Sequence, residues 1–410
     1  MNSTYLPLSL LLVGLSLTVP SSHAQDLVIY GDVVYPVSQP AIENGVVLVR
    51  DGKIAAVGVA DTIPVPEGIR SLKATVVTPG LIDAHSVVGL TGMLNQDEDQ
   101  DQLDRTEPIQ PQLRAIDAYN PRDELVDWIR SFGVTTVHTG HAPGELVSGQ
   151  TMIIKTTGDD VDDSVLVPFR AIAVTLASSA QKSGTSSPGT RGKMLAMLRE
   201  NLLKAQEYSA KLKESAEDET AKPARDLKHE SFVSVLEGKT KLLVTADRSQ
   251  DIASALRIAK EFQLKIWIDS GAEAYLLTDK IKEAGASVIV HPSMARAVGD
   301  RENMSFETAA KLHEAGIPVA FQSGFEPYVP KTRVVLFEAA LSAAHGLGFE
   351  KTLGALTLDA ANLLGIQDRV GSLEVGKDAD LALYDGDPFE YTSHCVGVVI
   401  DGKVVSELRR

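Results

Sequence analysis

The sequence predicts an α/β protein, a (β/α)8 TIM-like barrel with a small β-sandwich assembled from both chain ends. Three observations carry this. Eight short apolar runs alternate with helical stretches through the middle of the 410-residue chain. β-type runs built around the same Asp-Gly-Lys turn stand near both ends. No GxGxxG or Walker pattern follows any of the eight runs, which argues against a nucleotide-binding, doubly wound sheet.

In chain order, the first segment reads as a leader. Leu6 to Val19, "LPLSLLLVGLSLTV", is apolar and helix-prone, and Pro20 and "SSHA" follow it. This pattern predicts a signal peptide over residues 1–24, cleaved after Ala24, and hence a periplasmic or extracellular protein. The flank before it lacks Lys and Arg, which leaves a retained anchor as the alternative. No later segment reaches about 18 uninterrupted apolar residues, so no membrane span is expected after cleavage.

The composite β domain is expected over 25–78 and 371–410. "DLVIYGDVVYP" and "NGVVLVRDGKIAAVG" cluster β-branched residues around Asp51-Gly52, a hairpin signal. "VGVVIDGKVV" repeats the turn at Asp401-Gly402. The barrel is expected over 79–370. Its strands are "GLIDAH", "VTTVHTG", "TMIIKTTG", "FRAIAVTLA", "KLLVTAD", "KIWIDSG", "SVIVHPS" and "PVAFQSG", read as a parallel sheet. "PRDELVDWIRSFG", "SQDIASALRIAKEFQ" and "SFETAAKLHEAG" repeat apolar residues at three- and four-residue spacing and supply helices between them. Residues 180–230 begin with a polar loop and continue as a Lys/Glu-rich pair of helices. An exposed pair on the barrel rim and a lid over a site are both open readings.

The bulk composition excludes some functions. A hydrophobic content of 44% supports a large core. A formal charge of −16 argues against nucleic acid or an anionic membrane as partner. The single cysteine, Cys395, excludes an internal disulfide. "QDEDQDQLD", Gln96 to Asp104, lacks the glycine and glutamate spacing of a calcium loop.

Several segments together resemble the amidohydrolase superfamily, in its secreted imidazolonepropionase-like branch. They are "VVTPGLIDAH", "SGQTMIIKTTG", "DIASALRIAKEFQLKIWIDSGAEAY", "TLDAANLLGI" and "GSLEVGKDADLALYDGDPF". The resemblance implies a metal-bearing barrel that hydrolyses non-peptide carbon–nitrogen bonds, cyclic amides among them. It also implies ligand positions: His-x-His on strand one, a carboxylated lysine on strand four, single histidines on strands five and six, and an aspartate on strand eight. Here His85 is the one retained ligand. Val87 stands where the second histidine belongs, Thr245 and Ser270 replace the single histidines, and Gln322, Ser323 and Gly324 fill the aspartate segment. Lys155 lies in a matching segment but not on strand four. A catalytic zinc takes about three protein ligands, so no cofactor is expected at the usual site.

Two readings of the remaining histidines stay open. His85, His138, His141 and His291 all fall at strand ends on one rim, where they would form a relocated site for one divalent metal such as zinc. The plainer reading has them hydrogen-bonding backbone in rim loops. Asp247, Asp269 and Glu273 lie near strand ends too, as a carboxylate site or as caps for the following helices. His229, His313, His345 and His394 read as surface or packing residues. The expectation is therefore a hydrolase by descent with a degenerate metal site, its catalytic residues unassigned. The alternative is a non-catalytic protein that holds a small ligand or a partner chain. Oligomeric state is left open.

Overall fold

The computed structural model describes residues 26–94, 96–184, 187–215, 220, 222–291, 297–327 and 331–410. The leader expected over 1–24 lies outside the described residues. The chain begins with four strands, β1 (Leu27–Val34), β2 (Ile42–Arg50), β3 (Lys53–Val59) and β4 (Arg70–Pro79). Eight more follow: β5 (Leu81–Ser86), β6 (Val134–Thr139), β7 (Val147–Lys155), β8 (Val165–Thr175), β9 (Lys241–Ala246), β10 (Ile266–Ser270), β11 (Ser287–Val290) and β12 (Val319–Phe321). The last three are β13 (Leu381–Tyr384), β14 (Cys395–Ile400) and β15 (Lys403–Ser406).

Strands from both ends form one seven-stranded sheet in the order β15-β14-β13-β4-β1-β2-β3. Successive residues of β1 and β2 feed opposite faces, as the strand period requires. Leu27, Ile29, Val47 and Val49 pack with Leu381, Leu383 and Val399 on one face, while Val28, Val46 and Leu48 cluster on the other. Asp51 and Gly52 have φ of 49° and 76°, and Asp401 and Gly402 have 48° and 72°. Both turns thus use the doubly left-handed geometry that Asp-Gly favours. They also touch: a Cβ on Gly402 would lie 2.8 Å from Gly52 Cα.

The other eight strands make a sheet in the order β12-β11-β10-β9-β8-β7-β6-β5. A bridge between Ser86 and Gly324, with Gly324 N donating to His85 O at 3.1 Å, brings its two edges together. The expectation of a wholly parallel sheet is corrected at one strand. β7 runs antiparallel to both β6 and β8, while the remaining pairs are parallel. Only residues 140–146 join β6 to β7, and a parallel crossover takes about a dozen residues or more. The chain turns back instead. Lys155 therefore ends its strand at the face opposite the mouth. There its ammonium meets Asp378 (2.7 Å), Asp380 (3.1 Å) and Asp401 (2.5 Å), all from the C-terminal segment.

The helices are α1 (Glu124–Arg130), α2 (Val161–Ser164), α3 (Arg191–Glu214), α4 (Leu227–Leu236), α5 (Ser249–Phe262), α6 (Thr278–Glu283), α7 (Thr308–Glu314), α8 (Val335–Ser342), α9 (Phe349–Ala355) and α10 (Leu358–Leu364). α5 buries Ile252, Ala255, Leu256, Ala259 and Phe262, one apolar stripe, and ends where Gln263 turns left-handed at φ 56°. The 180–230 region does hold two helices. α3 buries Met194, Leu198, Leu202 and Ala205 and packs against α4 and α5, and Arg199 forks onto Glu261 at 2.7 and 2.8 Å. Among the described residues, no helix is long and apolar enough to cross a membrane.

Inside the barrel, Ile82, Ala84, Ile153, Ala171, Leu243, Trp267, Ile289 and Ala320 form an apolar layer. Ala360, Ala361, Leu363 and Leu364 of α10 join the same cluster.

Candidate functional site at the barrel mouth

Two residues beyond that layer, the same strand faces turn polar. Leu243 is followed by Thr245, Trp267 by Asp269, Ile289 by His291 and Ala320 by Gln322. The strand period of two places these side chains in the next layer towards the mouth. All four are buried.

Asp269 is the hub. His85 Nδ1 donates to its Oδ1 at 2.9 Å, Gln322 Nε2 to the same oxygen at 2.6 Å, and Thr245 Oγ1 to Oδ2 at 2.6 Å. Burial raises the Asp269 carboxyl, but His85, Thr245 and Gln322 outweigh it and hold it below the usual range. Burial likewise lowers His85, and the charges of Asp269 and Asp83 overcome that and raise it. The two form a buried histidine–carboxylate pair in which each favours the charged form of the other. His85 Nε2 makes no hydrogen bond.

Every vacated ligand position has been put to another use. Val87 is fully buried among the core residues. Thr245 serves Asp269. Ser270, held at φ 72°, donates to Asp247 Oδ1 (2.5 Å) and His291 O (2.7 Å). Gly324 has φ 65°, and a Cβ there would stand 2.6 Å from His291 Nε2. The His291 ring thus occupies the space that a strand-eight side chain would need.

A second polar group lies beside the first. Asp83 accepts from Ser323 N (3.0 Å), from Ser323 Oγ and from His85 N (3.3 Å). Ser323, Ser86 and Thr332 hydroxyls meet one another at 2.5–3.2 Å. Burial pushes Asp83 up to about 7 despite these donors.

The four rim histidines come together only in part. The rings of His85 and His138 are 5.8 Å apart between centroids. Both His138 nitrogens are engaged, Nδ1 with Ala84 O at 2.7 Å and Nε2 with Thr151 Oγ1 at 2.6 Å. Burial, with the nearby His85 charge, pushes His138 down to about 3. His291 Nδ1 donates to Gln322 O at 3.2 Å, and burial with Arg301 lowers it to about 3. His141 sits over Gly149, where a Cβ would be 2.2 Å from its ring, and burial lowers it to about 4. His229 and His394 pair with Asp226 and Asp385, and His313 and His345 are exposed.

The acids divide in the same way. Glu273 accepts from Ser249 N at 2.7 Å and so caps α5, the helix before its strand and not the following one. Asp247 takes Ser270 and, at 3.4 Å, Arg301. Among the described residues, no three His, Cys, Asp or Glu side chains stand close enough to hold one metal ion. His85 offers one free nitrogen and His138 none, so the residues present do not fit the family's metal. The sequence had suggested Asp269 only as a strand-end acid. Its pairing with His85 carries no local signal, because 184 positions separate the two.

The profile of an amidohydrolase family matches residues 90–406. Amidohydrolase tasK of Hapsidospora irregularis is 24% identical over 88% of this chain, which spans 39% of that relative's length. The imidazolonepropionase of Streptococcus gordonii is 26% identical over 85% of this chain and 86% of its own. An amidohydrolase structure from Thermotoga maritima superposes with a TM-score of 0.84 at 28% identity, covering 94% of this chain and 100% of that one. Molinate hydrolase, at 15% identity and a TM-score of 0.58, shares the fold. With an eight-stranded barrel, a sheet drawn from both chain ends and a family match over most of its length, the chain belongs to the amidohydrolase family, in its imidazolonepropionase-like branch.

Proposed function

We propose that this protein is, by descent, a hydrolase of non-peptide carbon–nitrogen bonds whose barrel mouth has given up the metal-activated water. The observation that carries this reading is Asp269, whose oxygens are satisfied by the retained ligand His85 and by Thr245 and Gln322. A carboxylate so engaged, beside an imidazole pinned at Nδ1, is a finished hydrogen-bond network and not a chelate waiting for an ion. The Streptococcus gordonii relative is by name an imidazolonepropionase, so the ligand class proposed is a small cyclic amide. Export to the periplasm or medium completes the proposal and rests on the leader sequence.

One observation favours a second reading, a non-catalytic binding protein on the same scaffold. His85 Nε2 and His291 Nε2 are buried without a partner, and a buried unpaired nitrogen costs about 1–3 kcal/mol. A bound amide would satisfy it.

Metal analysis of the purified protein tests the main reading. We expect less than about one-tenth equivalent of zinc, manganese or iron after dialysis, because a lone imidazole cannot hold what ordinarily takes three ligands. Stoichiometric metal, lost in a His85→Ala/His141→Ala variant, would instead establish a relocated site. Calorimetry with hydantoin and dihydrouracil separates the two readings: turnover unaffected by chelator supports a hydrolase, and saturable binding without turnover supports the binding protein.

A further inference from the structure

At the opposite face of the barrel, two cations gather over one buried indole. Trp267 of β10 is fully buried. Lys241, the first residue of β9, places its Nζ 4.5 Å from the Trp267 ring centroid, and Arg170 of β8 places its guanidinium carbon 5.4 Å from it. The two cations come from adjacent strands, Lys241 pairing with Ala171, the residue after Arg170, and both reach the same indole.

Among the described residues, neither cation forms an ion pair or a hydrogen bond, and Trp267 Nε1 and Arg170 Nε are buried without partners. The chain has 55 acidic residues against 39 Lys and Arg. Asp359 is the one carboxylate lining the cavity that Lys241 borders, and among the described residues the two form no ion pair. Stacking on the indole returns about 1–2 kcal/mol per cation and engages none of their N–H groups. Burial first, and then Arg170 and Lys265, push Lys241 down to about 8, the response of a cation among cations.

Beside Lys241 there is room for a ligand, in a cavity that Arg170 and Trp267 adjoin without lining it. Lys241 lines a cavity of 510 Å³ together with Ser287, Asn362, His313, Lys351 and Asp359. Gly365, which ends α10 at φ 69°, leaves space for the guanidinium, because a Cβ there would stand 2.8 Å from it. We propose that Lys241 and Arg170, stacked on Trp267, form a binding site for a small oxyanion, a phosphate or a carboxylate, at the N-terminal face of the barrel. An ammonium and a planar fork are the donors that such an anion needs, and the indole beneath them reports its arrival. The site does not depend on the reading of the mouth.

The two tryptophans of the sequence, Trp128 and Trp267, allow a direct test. In a Trp128→Phe protein, Trp267 is the sole indole, and its emission is followed during titration with inorganic phosphate at constant ionic strength. Acetate is titrated in parallel to separate phosphate from carboxylate. A saturable change is expected with at least one of them. Lys241→Met and Arg170→Met should each weaken it about tenfold or more, as loss of a charged hydrogen bond does, and Lys241→Arg should retain it. An unchanged curve in Lys241→Met would mean an adventitious ion elsewhere and would overturn the proposal, as would emission indifferent to both anions. Should the methionine variants fail to fold, the cations serve the fold and the site is refuted, unless phosphate raises the wild-type melting temperature where equal chloride does not.

Discussion

A chain ending at Val370 will aggregate instead of surviving as a trimmed barrel. The cut removes β13, whose ladder with β4 runs from Leu381 opposite Pro79 to Tyr384 opposite Val76. It also removes Leu381, Leu383 and Val399 from the cluster they share with Leu27, Ile29 and Val47. Each such side chain contributes roughly 1.5–3 kcal/mol by leaving water. Lys155, whose side chain is 5% exposed, would lose Asp378, Asp380 and Asp401 together. Stranding a buried charge costs about 3–5 kcal/mol, and the sum approaches the whole stability of an ordinary domain, about 5–15 kcal/mol. Sedimentation and thermal melting of residues 25–370 check this, and a soluble fragment that melts cooperatively would show the two ends to be independent. In the full chain the cluster also sets a pH response. Burial opposes ionisation of Asp378, but Lys155, Lys53 and Arg369 hold it near about 2. Its contribution is thus complete above the ordinary carboxylate range, about pH 4, and fades as the pH falls towards 2. Asp380, which burial raises to about 6 despite Lys155, acts in the other sense and subtracts stability as the pH rises from about 4 to 6.

Restoring the missing acid will damage the protein without restoring a metal. Gly324→Asp puts a side chain at φ 65° and within 2.6 Å of His291 Nε2. Left-handed backbone costs a non-glycine residue roughly 1–2 kcal/mol, and overpacking adds about 1–3 kcal/mol. The expected loss is about 2–5 kcal/mol, read as a lower denaturation midpoint. His291→Ala in the same chain should recover part of it by clearing the space. Val87→His on that background adds a second imidazole in a fully buried position and should still leave the protein without zinc. One zinc per chain in the Val87→His/Gly324→Asp protein would show that the positions merely lack donors and have not been rebuilt.

What could be read in the sequence followed the range of the forces involved. The eight barrel strands and the Asp51-Gly52 and Asp401-Gly402 hairpins are local patterns, and all of them stand in the structure. The direction of β7 was also local, since residues 140–146 are too few for a crossover, but an apolar run shows its strand character more readily than its sense. Lys155 looked like part of a family segment. Its partners lie 223 to 246 positions away, and no spacing rule reaches that far. At the mouth, the absence of histidines at Thr245 and Ser270 is visible residue by residue. That Thr245 serves Asp269, and that His291 fills the space above Gly324, depends on side chains meeting in three dimensions. Strand-end acids commonly meet the next helix N-terminus, but Glu273, just past the end of β10, meets that of α5, the helix before its strand, a partner that chain order does not suggest.

The contact between the Gly52 and Gly402 turns has a consequence in time. Closing a longer loop adds only about 0.6 kcal/mol for each doubling of its length, so joining such distant segments is cheap at equilibrium. In kinetics it is not cheap, because β4 can find β13 only after the intervening barrel has emerged and compacted. Until then β4 carries an unpaired edge, the kind of strand that recruits foreign chains. Pairing of β4 with β13 is therefore expected among the slow events of folding. A chaperone that shields an extended strand would act on the N-terminal segment until the last hairpin arrives to cover it.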